Sequence, residues 1–222
     1  MYPEAIPDSI WELLRRLNSI PEIKFYYLGG GTALALQLGH RRSCDLDFFA
    51  SNHFDAVSIA KSQALKGLEV TINHQASRHT ELMVASTKVD FLREQLRLRF
   101  PRKSIDSQME NLIMADARDI GRMKLFSIGS RGSKKDFVDL YCLTREKIAL
   151  DSLITAAMEE NHGVRYSRLL FLKGLTDFEE AEHEPELSMI WDIHWEKVKN
   201  SLRREVKAIA KKIQQEERLD LS

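Results

Sequence analysis

Apolar positions recur along this chain at two spacings, and the spacing changes near its middle. Ile10, Leu13, Leu14 and Leu17 stand three and four apart, the period of a helix that turns one face to a core. The preceding Ser9-Ile10-Trp11-Glu12 fits a capping box, so a helix should open here. Residues 24–28 (KFYYL) are aromatic-rich and stop at glycine, as a strand does. Residues 32–38 (TALALQL) favour a short helix, and 45–49 (DLDFF) alternate as a second strand. A helix is expected over 54–65, then three short β-like runs at 68–72, 81–85 and 88–92. From about residue 111 the pattern reads as wholly helical, with segments at 116–128, 133–143, 152–160, 167–180 and 195–216. The chain is therefore expected to be α+β, with a mixed core over 1–105 and a helical domain over 106–222.

Composition narrows the function classes. A hydrophobic fraction of 43% with 30% charged residues reads as a globular protein without extensive disorder. Basic and acidic residues balance at 33 each, so any pull toward nucleic acid must come from local clusters. Cys44 and Cys142 stand far apart and offer no disulfide framework, which suits a reducing compartment. The N-terminal MYPEAIPDSIWELLRR lacks a signal peptide's basic-then-apolar order. No apolar run reaches the roughly 20 residues that span a bilayer. A cytoplasmic protein with no membrane partner is expected. The histidines and the two cysteines show no zinc-type spacing.

Chemistry concentrates in residues 28–49, LGGGTALALQLGHRRSCDLDFF. Gly29, Gly30 and Gly31 between a strand and a helix let the backbone turn sharply and approach a ligand. The first amides of the following helix, with its dipole, favour a phosphate, and Thr32 offers a hydroxyl donor. A plain tight turn is the alternative. The dinucleotide fingerprint fails because position 34 is Leu34, and no Gly-Lys-Ser/Thr follows to make a P-loop. Asp45 and Asp47 stand two apart, so in a strand they share a face while Leu46 and Phe48 turn to the core. Two such carboxylates repel unless protonated or bridged by a cation, and Mg²⁺ takes carboxylate and phosphate oxygens. A solvated polar edge is the other explanation. Asp90, in the β-like TKVDFL, is the candidate third acid.

These motifs resemble the DNA polymerase β superfamily of nucleotidyltransferases. More narrowly, the stretch above and DARDIGRMKLFSIGSRGSKKDFVDLYCL resemble the AbiEii/AbiGii-type nucleotidyltransferases, some of which are toxins of toxin–antitoxin pairs. LKGLTDFEEAEHEPELSM, ahead of a Trp-led helix, is similar to solitary members, so the likeness covers nearly the whole chain. It implies a small mixed sheet flanked by helices, followed by a helical half that completes a nucleotide cleft. It implies Gly30, Gly31 and Thr32 at the triphosphate, and Asp45, Asp47 and Asp90 as metal ligands. Lys124, Asp136 and Asp139 match family residues of the helical half and are implied at the nucleotide. His40, Arg41 and Ser43 match a segment that frames the acids.

Two Mg²⁺ ions and an NTP are thus expected, with catalysis by Asp45, Asp47, Asp90 and Lys124. The reaction is transfer of a nucleoside monophosphate to a hydroxyl, with RNA such as a tRNA end as one acceptor and an antitoxin as a possible protein partner. A non-catalytic binding module and a metal-dependent phosphohydrolase are the rival classes. Lys124, Arg131, Lys134 and Lys135 lie within 12 residues and can neutralise phosphates. Arg131-Gly132-Ser133 also reads as a loop with Ser133 capping the next helix. Asp136 and Asp139 share a helix face and have Lys135 or Arg145 as candidate ion-pair partners. LRLRFPRK (96–103) reads as a solvated basic connector, with nucleic-acid contact as the alternative.

Overall fold

The computed structural model describes residues 1–51, 55–94, 96–146, 148–159 and 167–220. The alternation of DLDFF becomes strand β2 (Leu46–Ala50), in which Leu46, Phe48 and Ala50 are buried and Asp47 and Phe49 are half-buried. Strand β5 (Thr87–Arg93) runs parallel to it, with Leu46 opposite Val89, Asp47 opposite Asp90 and Phe48 opposite Phe91. The rings of Phe48 and Phe91 stack at 5.4 Å, and Tyr26 meets Phe91 edge-on at 5.0 Å. The apolar face of these two strands is thus the centre of the core.

Around this pair the described strands form one seven-stranded sheet in the order β3-β4-β5-β2-β1-β7-β6. Strands β3 (Val70–Ala76) and β4 (His79–Val84) form an antiparallel hairpin that extends the β5 edge. Strand β1 (Tyr27–Leu28) is antiparallel to β2 and parallel to β7 (Ile113–Met114), and β6 (Lys103–Ser104) closes the other edge. Helices α1 (Asp8–Asn18), α2 (Gly30–Leu38) and α3 (Ala56–Ala60) complete the first compact unit, Met1–Ile120. The apolar stripe of α1 is buried as its spacing predicts.

The second unit, Gly121–Ser222, is helical. It holds most of α4 (Ala117–Ser130), then α5 (Lys134–Arg145), α6 (Leu150–Met158), α7 (Arg168–Gly174), α8 (Glu179–Glu182) and α9 (Trp195–Asp220). Phe137 of α5 packs with Phe178 at 4.9 Å and with Trp195 at 6.0 Å. No described helix is long and apolar enough to cross a membrane.

Several local expectations are corrected. The chain is not wholly helical after residue 111, because Met114 pairs with Leu28 and so brings Ile113–Met114 into the sheet. By compactness the chain divides into Met1–Ile120 and Gly121–Ser222. The strand expected at 24–28 shrinks to Tyr27–Leu28, since Pro21–Phe25 forms a 3₁₀ turn with proline at its start. No capping box forms at Ser9; the first turn starts at Asp8 behind Pro7, whose carbonyl accepts from Ile10. The helix of 54–65 is reduced to Ala56–Ala60 and a 3₁₀ turn at Gln63–Leu65. Phe54, and Glu160 at the end of the 152–160 helix, lie outside the described residues. The segment 167–180 breaks into α7 and α8 at Leu175–Phe178.

The start of α4 is fixed by Asp116, whose Oδ1 accepts from the Arg118 amide at 2.9 Å, as an N-cap carboxylate does. Burial opposes its charge, but Arg118 and then Lys103 outweigh that and bring its pKa down to about 2. Because the folded value lies below the ordinary 3.8, Asp116 contributes its full stabilisation above about pH 4. That contribution is lost as the pH falls through about 2. Asp116→Ala is expected to cost about 1–2 kcal/mol at pH 7. Asp116→Asn keeps the cap acceptor but should flatten the stability profile between pH 4 and 2. Denaturant melts across that range check both.

Candidate active site

The glycine turn and the acids meet on one side of the sheet. Gly29 caps α2, and its amide donates to the Asp47 carbonyl at 2.8 Å. Gly30 has φ +61°, and a Cβ there would collide with Asp47 Oδ2 and stand 2.8 Å from its Cγ. Glycine is therefore required at position 30 twice over, by the left-handed backbone and by the carboxylate lying where a side chain would be. The first amides of a helix lack intrahelical acceptors, so Asp47 sits beside a set of donors suited to an anion.

Register places the third acid. Asp47 lies directly opposite Asp90 across the β2–β5 pair, and opposed residues of neighbouring strands point to the same face. Asp90 is 7% exposed. Asp45 stands one residue ahead of β2, half-buried, so the acids sit at the start and middle of one strand and on its neighbour. Asp47 and Asp90 thus share one face of the sheet, with the Asp47 carboxylate against the first residue of α2.

Thr32 has a different place from the one expected for its hydroxyl. It is buried, and Oγ1 donates to the Asp45 carbonyl and lies 2.8 Å from Ser43 Oγ. The side chain thus ties α2 to the backbone that carries the acids. Ser43 is held on its other side by its amide, which donates to the Ala5 carbonyl at 2.9 Å. His40 and Arg41 of the same framing segment are buried.

Sequence reading missed the neighbours of Asp90. His79 Nε2 lies 2.7 Å from Asp90 Oδ1, and Lys88 Nζ lies 3.0 Å from Oδ2 and 3.2 Å from Glu81 Oε2. Burial works against the Lys88 charge, but Asp90 and then Glu81 outweigh it and hold its pKa above the ordinary value. The Asn73 amide and Lys88 hold Glu81 below its own. His79, Glu81 and Asp90 present ligand atoms all within 4.8 Å of one another. Lys88 stands two residues before Asp90 on one strand and so shares its face, a local signal. His79 and Glu81 reach Asp90 through the β4–β5 register, in which Glu81 faces Asp90. No local motif encodes that register.

In the helical unit, Lys124, Asp136 and Asp139 come together as one network. Lys124 is 4% exposed, and its ammonium lies 2.8 Å from Asp136 Oδ1 and 2.6 Å from Asp139 Oδ2. Arg131 adds two bonds to Asp136, at 2.9 and 3.2 Å. Burial alone would raise the Asp136 pKa, but Lys124 and then Arg131 outweigh it and hold the carboxyl below its ordinary value. Ser133 stands at the N-cap of α5 without capping it; Glu184 Oε2 accepts from both Ser133 Oγ and the Lys134 amide, each at 2.9 Å. The basic connector is anchored rather than loose, since the amides of Arg99 and Phe100 donate to Asp119 at 3.0–3.2 Å. The Arg118 guanidinium lies 3.7 Å over the Phe100 ring.

Residues 12–218 match the family described as the nucleotidyl transferase AbiEii toxin of a type IV toxin–antitoxin system. An uncharacterised protein of Aquifex aeolicus is 33% identical over 202 residues, covering 88% of this chain and 93% of its own. Two solved structures share the fold at 18% identity. JHP933 from Helicobacter pylori has a TM-score of 0.53 and covers 94% of this chain and 92% of its own. MenT4, a nucleotidyltransferase toxin from Mycobacterium tuberculosis H37Rv, has a TM-score of 0.51 and covers 82% and 75%.

The burial of Lys124 has a direct consequence for stability. Lys124→Ala leaves two buried carboxylates without their shared cation and should cost about 3–5 kcal/mol of folding stability. Arg131 is 55% exposed, so Arg131→Ala should cost under about 1.5 kcal/mol. Urea titrations of the two variants check the difference.

Proposed function

Because the chain belongs to the AbiEii nucleotidyl transferase toxin family and is a nucleotidyltransferase, we propose that it moves a nucleoside monophosphate from an NTP to a hydroxyl acceptor at the Gly30–Asp47–Asp90 site. The observation that carries this reading is the Asp47 carboxylate lying against Gly30 at the start of α2, with Asp90 beside it in register. That arrangement sets carboxylate oxygens next to helix-terminal amides. Asp45, Asp47 and Asp90 would hold two Mg²⁺ ions, which when bound supply positive charge to the α-phosphate and the departing pyrophosphate.

The chain's own residues do the rest. The amides of Gly30, Gly31 and Thr32 bind the triphosphate and orient it for attack. Thr32 Oγ1 and Ser43 fix the backbone that carries Asp45. The acceptor oxygen forms a bond to the α-phosphorus while the bond from that phosphorus to pyrophosphate breaks, and Asp90 takes the acceptor's proton. Lys124, Asp136 and Asp139 belong to the same proposal as nucleotide contacts, on the resemblance of their segment to the family's. An RNA hydroxyl is the favoured acceptor, supported by the exposed Arg97, Arg99 and Arg102 on the unit that carries the acids. The type IV toxin–antitoxin description of the family supports an antitoxin as protein partner.

Incubation with each labelled NTP, Mg²⁺ and total RNA, followed by location of the label, tests the reading. Label on RNA is the expected result, and release of free nucleoside monophosphate alone would make the protein a phosphohydrolase. The double variant Asp45→Asn with Asp47→Asn should lose transfer and the thermal stabilisation that Mg²⁺ plus NTP confers. Without ligands its stability should change by no more than about 1 kcal/mol, because relief of like-charge repulsion offsets the carboxylate contacts that are lost. A large loss of ligand-free stability with transfer retained would overturn the assignment.

A further inference from the structure

Both oxygens of Asp90 are engaged by its neighbours, and the two neighbours differ in kind. His79 is carried on β4 two residues from Glu81, on the strand face that Glu81 shares with Asp90. Its ring lies 5.1 Å from that of His74 on the next strand. Nε2 meets Asp90 Oδ1 at 2.7 Å, a contact that sets the plane in which the carboxylate lies. Lys88 approaches the other oxygen with a full positive charge at the end of a flexible stem. Its ammonium stands between Asp90 Oδ2 and Glu81 Oε2, at 3.0 and 3.2 Å, where two carboxylates converge on a single cation. The lysine side chain is 41% exposed, on a flexible stem that can carry its ammonium out into solvent.

We propose that His79 and Lys88 act on Asp90 with opposite signs: His79 is a positioning residue that holds the carboxylate ready for a divalent cation, and the Lys88 ammonium is a resident competitor that the cation displaces. This inference rests on the reading of Asp90 as a metal ligand. Carboxylates that bind metals are themselves held by hydrogen bonds, and losing such an outer partner costs roughly 10–100-fold in metal affinity or activity. An ammonium paired with the same oxygens has the reverse effect, because cation binding must first break its ion pairs. His79 thus makes the site stronger and Lys88 makes it selective against weak or monovalent cations.

Calorimetric titration of the metal-free full chain with MnCl₂ and with MgCl₂ tests the pair without relying on turnover. His79→Ala should weaken both ions by roughly 10–100-fold, and His79→Gln, which retains an N–H donor at similar reach, should recover most of the loss. Lys88→Met should tighten both ions about two- to tenfold. His79 and Lys88 are each at least a third exposed, and thermal melts of every variant confirm folding. A loss confined to Mn²⁺ in His79→Ala would make the imidazole a direct ligand and overturn the positioning role. Unchanged affinity in His79→Ala, or weakened affinity in Lys88→Met, would overturn the inference while the metal site stands. Asp90→Asn separates the two levels: if it binds metal as tightly as the parent protein, the reading of Asp90 as a ligand falls, and the inference with it.

Discussion

The parallel register of β2 on β5 is the constraint on which the site depends. Side chains alternate along a strand, so a slip of one residue would exchange its two faces. A slip of β2 would turn Asp47 into the core and Phe48 out of it, and a slip of β5 would do the same to Asp90 and Phe91. The apolar side prevents this: Leu46, Phe48, Ala50, Val89 and Phe91 are all buried, and each large side chain buried there contributes about 1.5–3 kcal/mol. The face on which the carboxylates lie is therefore set by the apolar residues of the opposite face. Gly30 supplies the second half of the constraint, since only a residue without a Cβ leaves space for Asp47 at the start of α2.

Charge is handled differently in the two units. On the sheet, Asp45 and Asp47 remain half-buried, and the better-buried Asp90 is balanced by Lys88, which is exposed enough to move. In the helical unit, Asp136 and Asp139 are fully buried against an equally buried Lys124. Ion pairs of the second kind cost much when one partner is removed, which makes them rigid fixtures of α4 and α5. The first kind can exchange one cation for another.

Much of this was legible in the sequence because local pattern encodes it. The alternation in DLDFF and TKVDFL predicts which residues face the core, and the glycine run before TALALQL predicts a turn into a helix. The likeness of both segments to one family then picks out the three acids. What could not be read depends on distant partners. Strands β6 and β7 are two residues each, too short for any period to show, and β7 exists because Leu28 is available to pair with it. The hydroxyl of Thr32 is spent on Asp45 and Ser43, thirteen and eleven residues away. The cap of α5 comes from Glu184, about fifty residues on. His79 becomes a partner of Asp90 only through the β4–β5 register, whereas Lys88 stands two residues from Asp90 on the same strand.

The central claim is that the metal and the triphosphate meet over Gly30 and between Asp47 and Asp90. Paramagnetic broadening of backbone amide signals by Mn²⁺, recorded on the full chain with a non-hydrolysable NTP analogue, locates the ion directly. Selective loss of the Gly30, Gly31, Asp47 and Asp90 signals at low Mn²⁺, reversed by excess Mg²⁺, is the result the geometry requires. Broadening centred on another acidic group, such as Asp116 or Glu184, with those four signals intact would contradict it.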